Sequence, residues 1–415
     1  MHDAMTTSSL CFGPGMRLEL DLDRRSLLAD FSRLQDAVID DPVAAVSASL
    51  SAPRGFPPLN RATVPGDRVV VSIEDGVPQQ DAVVAGVVHT LLEGDVRPED
   101  VTILLSGDPS SLDPGRVRRL LAPSVLDSVS VAQHDPHTAT ELAYLAASRE
   151  NKPIYFNRLL FDADMVLPVG CLRPAASLGY LGVYSGLFPT YSDEATRQRF
   201  RTAGTVHSSV QQKRHFQEAQ EAAWLLGIHL MLQVVPGPGD SLLHVLAGEA
   251  GVLAEEGREL CEAVWLHRLR QSTQLVIAAI EGGREVQTWE NFARALHAAL
   301  AVVADQGAVV LCTDLRCPPG PALQRLGGEA DDQTARREIL RDRSHDALAA
   351  LLLLDARPRV RVYLMSGLDE DVVEGLGVGY VRNPQEITRL TRQYDSCILL
   401  GDAHRAMLQL DDVPE

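Results

Sequence analysis

Four short stretches hold residue types that could do chemistry, and each follows a strand-like run. EDGVP (74–78) sets Glu74 and Asp75 side by side after DRVVVSIE, two carboxylates suited to a general base or to holding a hydroxyl. A solvated turn is the competing reading. SGDPSS (106–111) offers Gly107 and its neighbouring amides as an anion nest. Asp108 would repel an anion there, and the run is not a phosphate-binding GxxxxGK[ST], so a plain turn is favoured. HDPH (134–137), with Glu141 close behind, groups two imidazoles and a carboxylate. His134 could move a proton, whereas Pro136 and the missing third histidine argue against a metal. In EGGREVQTWENFAR (281–294), Gly282 and Gly283 are expected to open a helix whose free amides favour an anion. Asn291 and Arg294 lie three apart and so share a helix face, with an ordinary surface cation as the alternative reading of Arg294.

A fifth stretch poses the opposite problem. GCLRPAASLGYLGVYSGLFPT (170–190) is glycine-rich and comes after a buried-looking strand, yet it has no histidine, lysine or carboxylate. Ser185 sits in GVYSG, which is not the GxSxG turn of a serine nucleophile.

The elements that must position these loops read as α/β. Strand candidates at 67–74, 100–106, 128–133 and 163–169 alternate with helical spacing at 81–93 and 138–148. Residues 227–248 read as a hairpin around PGPGD. The pattern then restarts with a strand at 275–283, a helix at 289–304, and strands at 307–313, 359–366 and 396–401. A chain of 415 residues exceeds one ordinary core. The expectation is therefore two α/β domains with mostly parallel sheets, residues 1–270 and 271–415, with a cleft between them. Ligands of such sheets sit beyond the carboxyl ends of the strands. The segment 316–333 is the longest loop-like stretch, of a length that is often functional.

Composition narrows the partners. A net charge of −18 argues against nucleic acid or an anionic membrane. No apolar run approaches the roughly 18 residues of a membrane span. The six cysteines are scattered, with no CxxC spacing, and read as reduced thiols of a cytoplasmic protein.

Taken in order, these fragments resemble the nickel-pincer lactate racemase family. The start FGPGMRLELDLD is similar to that family's opening hairpin, and PRGFPPLNRATVPGDRVVVSIED to its entry into the first strand. HD (134–135), GG (282–283) and QGAVVLCTDL (306–315) fall in the matching order. In the segment 170–190, Gly170, Pro174, Gly179, Tyr180, Gly182 and Pro189 keep the family's frame. The resemblance implies a lysine that carries a pyridinium thioacid nucleotide, and histidines that ligate nickel or act as acid and base. Here Ser185 stands at the lysine, Ala175 and Arg201 at histidines, and Asp108-Pro109-Ser110 at a T-H-R motif. Asn291 and Arg294 replace a glutamine and a lysine.

The implied protein keeps the racemase fold, binds no metal and has lost the nickel pincer nucleotide. It is expected to bind a small carboxylate- or phosphate-bearing molecule, of the 2-hydroxy acid type, in the cleft. Glu74, Asp75 and His134 are its candidate catalytic groups. Gly107, Asp108, Arg173, Tyr180, Ser185, Arg201, Gly282, Gly283, Asn291 and Arg294 are its candidate ligand contacts. If catalysis survives, it is racemisation, epimerisation or another proton transfer. The alternative is a non-catalytic binding or regulatory protein that keeps the cleft as a sensor.

Overall fold

A computed structural model describes residues 5–34, 36–106, 120–201, 209–328 and 331–411. Its strands are β1 (Met5–Phe12), β2 (Met16–Asp23), β3 (Leu27–Phe31), β4 (Val69–Ile73), β5 (Val101–Leu105), β6 (Ser130–Gln133), β7 (Leu142–Ala147), β8 (Pro153–Asn157) and β9 (Met165–Cys171). Then come β10 (Met231–Pro236), β11 (Leu242–Gly248), β12 (Leu266–Leu269), β13 (Thr273–Ala279), β14 (Val303–Cys312), β15 (Arg361–Met365), β16 (Gly379–Tyr380), β17 (Cys397–Leu400) and β18 (Met407–Leu410).

Two six-stranded sheets dominate. The first runs β11-β10-β9-β4-β5-β6, and every pairing but the β10–β11 hairpin is parallel. The second runs β16-β15-β14-β13-β17-β3 and is parallel throughout. Parallel strands are covered on both faces and so read as continuous apolar runs; β4, VVVSI, is buried at all five positions. The same logic explains β13. Leu275, Ile277 and Ala279 pack against Leu10, Leu18, Leu20 and Leu22 of the β1–β2 hairpin. Val276 and Ala278, on the opposite face, join the cluster that holds Phe292 and Leu296 of helix Trp289–Leu300.

Two expectations change. The segment 138–148, read as helical, forms a 3₁₀ turn at Ala139–Glu141 and then β7, paired antiparallel with β8. Tyr144 and Tyr155 meet edge to face across that pair, a cross-strand contact of the kind that overrides helix preference. Chain order also misleads at the start: β3, from residues 27–31, closes the edge of the second sheet beside β17, not the first. The long stretch 316–333 holds a helical turn at Pro321–Gln324, where the Asp346 carboxylate accepts from the amides of Ala322 and Leu323. No helix of the described residues is long and apolar enough to cross a membrane.

Candidate functional site

Each sheet reverses its strand order once. In the first, β5 and β6 lie to one side of β4, with β9, β10 and β11 on the other. In the second, β14, β15 and β16 lie to one side of β13 and β17 on the other. A crevice opens beyond the carboxyl ends at such reversals and is where ligands of open α/β sheets bind. The segments that follow all four strands, β4, β9, β13 and β17, contribute residues to one cavity of about 300 Å³.

On the first wall, Glu74 is buried and fully engaged. Arg173 Nη1 donates to its Oε1 at 2.9 Å, and the amide of Cys171 donates to its Oε2 at 2.8 Å. Glu74 is thus held as a scaffold group, each of its oxygens already accepting one hydrogen bond. The glycine-rich segment explains itself here. A Cβ on Gly186 would lie 3.0 Å from both Cβ and Oε2 of Glu74, so the glycine lets the loop close over the ion pair. Ser185 lines the cavity, and its Oγ accepts from the amide of Leu181 at 2.7 Å. Asp75 differs from its neighbour: its amide donates to Ser106 Oγ, while its carboxylate opens into the cleft. Desolvation by the cleft walls, then the charges of Glu290 and Glu74, push that carboxyl up to about 6.

Helix Glu194–Phe200, capped by Asp193, brings Arg197 and leads into Arg201 at the cavity rim. Arg201 is paired with Glu194 at 2.9 Å. The Arg197 guanidinium has no hydrogen bond or ion pair among the described residues, and burial lowers its pKa.

On the second wall, helix Trp289–Leu300 begins after its cap Thr288, whose hydroxyl accepts from the amide of Asn291. Gly282 and Gly283 therefore do not open it. The Gly282 amide is taken by Gly13 O, and both glycines line an adjoining cavity of about 280 Å³ with Asp75 and Arg405. Asn291 is spent on Val286 O and on Arg294, each at 2.8 Å. Arg294 does reach the main cavity; one guanidinium arm contacts Glu290, and its Nε is buried without a partner. Beyond β17, the turn 401–405 brings in His404 and Arg405. His404 is buried, and neither ring nitrogen has a protein partner.

The other sequence candidates lie elsewhere. His134 is absent from the cavity lining: its Nε2 contacts Ser192 O at 2.9 Å and its Nδ1 contacts Asn157 Nδ2 at 3.2 Å. With both nitrogens engaged and burial lowering its pKa to about 4, it is a neutral structural histidine with no free nitrogen for proton transfer. Tyr180 is half-buried and absent from the cavity lining, and burial pushes its phenol up. Gly107 and Asp108 lie outside the described residues, as do Pro109 and Ser110. Arg197, His404 and Arg405 are absent from the sequence-based expectations. The rule that points to Glu74, that ligand groups sit just past the carboxyl end of a parallel strand, points equally to Asp402–Arg405 after SCILLG. Arg197 has no such signal, because a helix delivers it.

Among the described residues no three of His, Cys, Asp and Glu stand close enough to hold a metal ion. The cavity can instead hold an anion, with a titrating carboxylate on one side and a neutral imidazole on the other.

Comparison with known proteins agrees with this architecture. The lactate racemase apoprotein from Thermoanaerobacterium thermosaccharolyticum superposes with a TM-score of 0.78 at 14% identity, over 97% of this chain and 100% of that one. A protein from Thermotoga maritima superposes with a TM-score of 0.66 at 15% identity, over 90% and 100%. No curated protein matches by sequence. Residues 15–212 match the model of the lactate racemase N-terminal domain. Residues 15–212 thus form a lactate racemase N-terminal domain, and the chain as a whole has the fold of the lactate racemase apoprotein.

Proposed function

We propose that this protein binds a small organic acid of the 2-hydroxy acid type in the cavity between the two sheets, without the nickel pincer nucleotide. One observation carries the reading. In a chain of net charge −18, five arginines (173, 197, 201, 294 and 405) reach one small cavity, and the guanidinium of Arg197 has no partner among the described residues. An unpaired guanidinium in a partly desolvated cleft matches a carboxylate or phosphate with two parallel hydrogen bonds. The hydroxy-acid class is suggested by the related fold described as a lactate racemase. The two sheets with their helices are read as two domains flanking the cleft, β3 belonging with the second.

The donor set fits the pincer group poorly. A serine hydroxyl cannot make the attachment of a lysine amine, and that of Ser185 already serves Leu181. Arg201 is tied to Glu194, and Ala175 carries no donor. Any proton transfer therefore falls to Asp75, whose pKa near 6 suits a base at neutral pH. A sensor without catalysis is the second reading, favoured by the engagement of both oxygens of Glu74, which leaves Asp75 without a second free base beside it. A cytoplasmic setting goes with either reading, since all six thiols are free.

Calorimetric titration of lactate and malate into wild type, Arg197→Ala and Arg294→Ala tests the site. Weakening of at least tenfold in Arg197→Ala, about 1.4 kcal/mol, is expected, and equal binding to all three proteins overturns the reading. Loss of the C2 deuterium of bound hydroxy acid to solvent separates enzyme from sensor. One nickel per chain, or an adduct within residues 170–190 of protein made alongside the cofactor's biosynthetic enzymes, overturns the second half of the proposal.

A further inference from the structure

The second wall leaves polar groups unmet. Both ring nitrogens of His404 and Nε of Arg294 are buried with no partner among the described protein atoms. His404 is 5% exposed, and buried side-chain polar atoms nearly always find a partner. Its turn is well anchored. The amide of Ala403 donates to Ala279 O, that of Gly401 to Phe31 O, and the Arg405 guanidinium to Gly237 O. The turn therefore holds the ring at the cavity wall, and the missing partner is whatever enters the cavity.

The chemistry of that partner is set by charge. Burial, and then the charges of Arg405, Arg294 and Arg173, keep the ring neutral. A neutral imidazole has one N–H and one lone pair. The N–H could meet a carboxylate oxygen, as the arginines do. The lone pair needs a donor, which an ionised carboxylate is not. A hydroxyl both gives and takes a hydrogen bond. We infer that His404 reads a hydroxyl group on the bound acid and so sets a preference for hydroxy acids over the matching acids that lack it. This rests on the anion site proposed above. It adds the residue that would choose among anions, on the principle that a site built to hydrogen-bond a hydroxyl rejects the analogue without one.

The experiment uses matched pairs, lactate with propionate and malate with succinate, titrated into wild type, His404→Phe, His404→Gln and Arg197→Ala, with thermal unfolding of each protein without ligand. Wild type is expected to prefer the hydroxylated member of at least one pair by tenfold or more. His404→Phe should erase that preference while binding propionate or succinate within twofold of wild type, and His404→Gln, which keeps a donor and an acceptor, should restore part of it. Removing an orphaned polar group should leave the Tm of His404→Phe unchanged or raised. A preference that survives in His404→Phe overturns the assignment and leaves the anion site standing. A lowered Tm with parallel loss of both members of a pair marks a structural role and also overturns it. Binding to wild type no tighter than to Arg197→Ala removes the anion site itself, and the assignment with it.

Discussion

The two walls of the cleft are built alike and finished differently. Each is the crevice at a reversal of strand order, formed by the first residues past two neighbouring parallel strands. On the first wall the charges satisfy one another: Arg173 binds Glu74, the Cys171 amide binds Glu74, and Gly186 closes over the pair. On the second, Nε of Arg294 and both ring nitrogens of His404 have no partner among the described residues. A wall that completes its own hydrogen bonds is scaffold, because nothing entering the cleft can improve on them. A wall with orphaned groups is where recognition energy remains to be gained. The same contrast recurs within the first wall, between Glu74, which is tied into the ion pair, and Asp75, whose carboxylate opens into the cleft, although they adjoin in sequence.

The largest effect should come from breaking the satisfied wall. Glu74→Ala leaves Arg173 as an unpaired buried cation, a change that destabilises by roughly 3–5 kcal/mol in comparable cases. Chemical denaturation should register it as a lower midpoint with unchanged slope. A loss under about 1 kcal/mol would mean that the pair is not desolvated as described, and the contrast between the walls would collapse.

A smaller effect concerns the turn that carries His404. Asp402, at φ 42°, accepts from the Gly239 amide at 3.3 Å and so links the second sheet's turn to the β10–β11 hairpin of the first. Burial, with Glu281 adding to it against the opposing pull of Arg405, pushes its carboxyl up to about 7. The folded pKa thus lies above the unfolded value of roughly 3.9. The stability it supports is complete below that lower value and is lost as pH rises through 7. Asp402→Asn keeps the acceptor without the charge. Its stability advantage should grow between about pH 4 and pH 7 and stay level above. An advantage that is equal at pH 5 and pH 8 would show that Asp402 is not desolvated.

Much of this was legible in the sequence because parallel sheets leave two plain signals, apolar runs and the loops just past them. The central strands of both sheets, the hairpin at 227–248 and the place of residues 74, 75 and 173 just past strand ends come from those signals. What was not legible depends on three-dimensional partners. Nothing local distinguishes Glu74 from Asp75, because the difference is made by Arg173, a residue 99 positions away. His134 looked chemical until Ser192 and Asn157 took both its nitrogens. The double glycine at 282–283 looked like a helix start until Thr288 proved to be the cap and Gly13 the partner of the Gly282 amide. Arg197 lies on a short helix whose approach to the cleft no periodicity announces.

The last and smallest effect tests whether Asp75 faces the ligand. Its carboxyl, raised to about 6 by desolvation and then by Glu290 and Glu74 against the pull of Arg294, is mostly ionised at pH 7.5 and mostly protonated at pH 5.5. An acid ligand with a pKa near 4 stays ionised across that range, the arginines stay charged, and His404 stays neutral. Lowering the pH therefore removes one negative charge from beside the ligand and supplies an O–H donor in its place. Binding of lactate should tighten about threefold to tenfold from pH 7.5 to pH 5.5, the modest size reflecting a carboxylate still partly screened by water in the cleft. Asp75→Asn should bind at pH 7.5 about as tightly as wild type does at pH 5.5, with a flat profile between. Affinity that is flat in wild type, or that keeps its slope in Asp75→Asn, would take Asp75 out of the site and leave recognition to the arginines and His404.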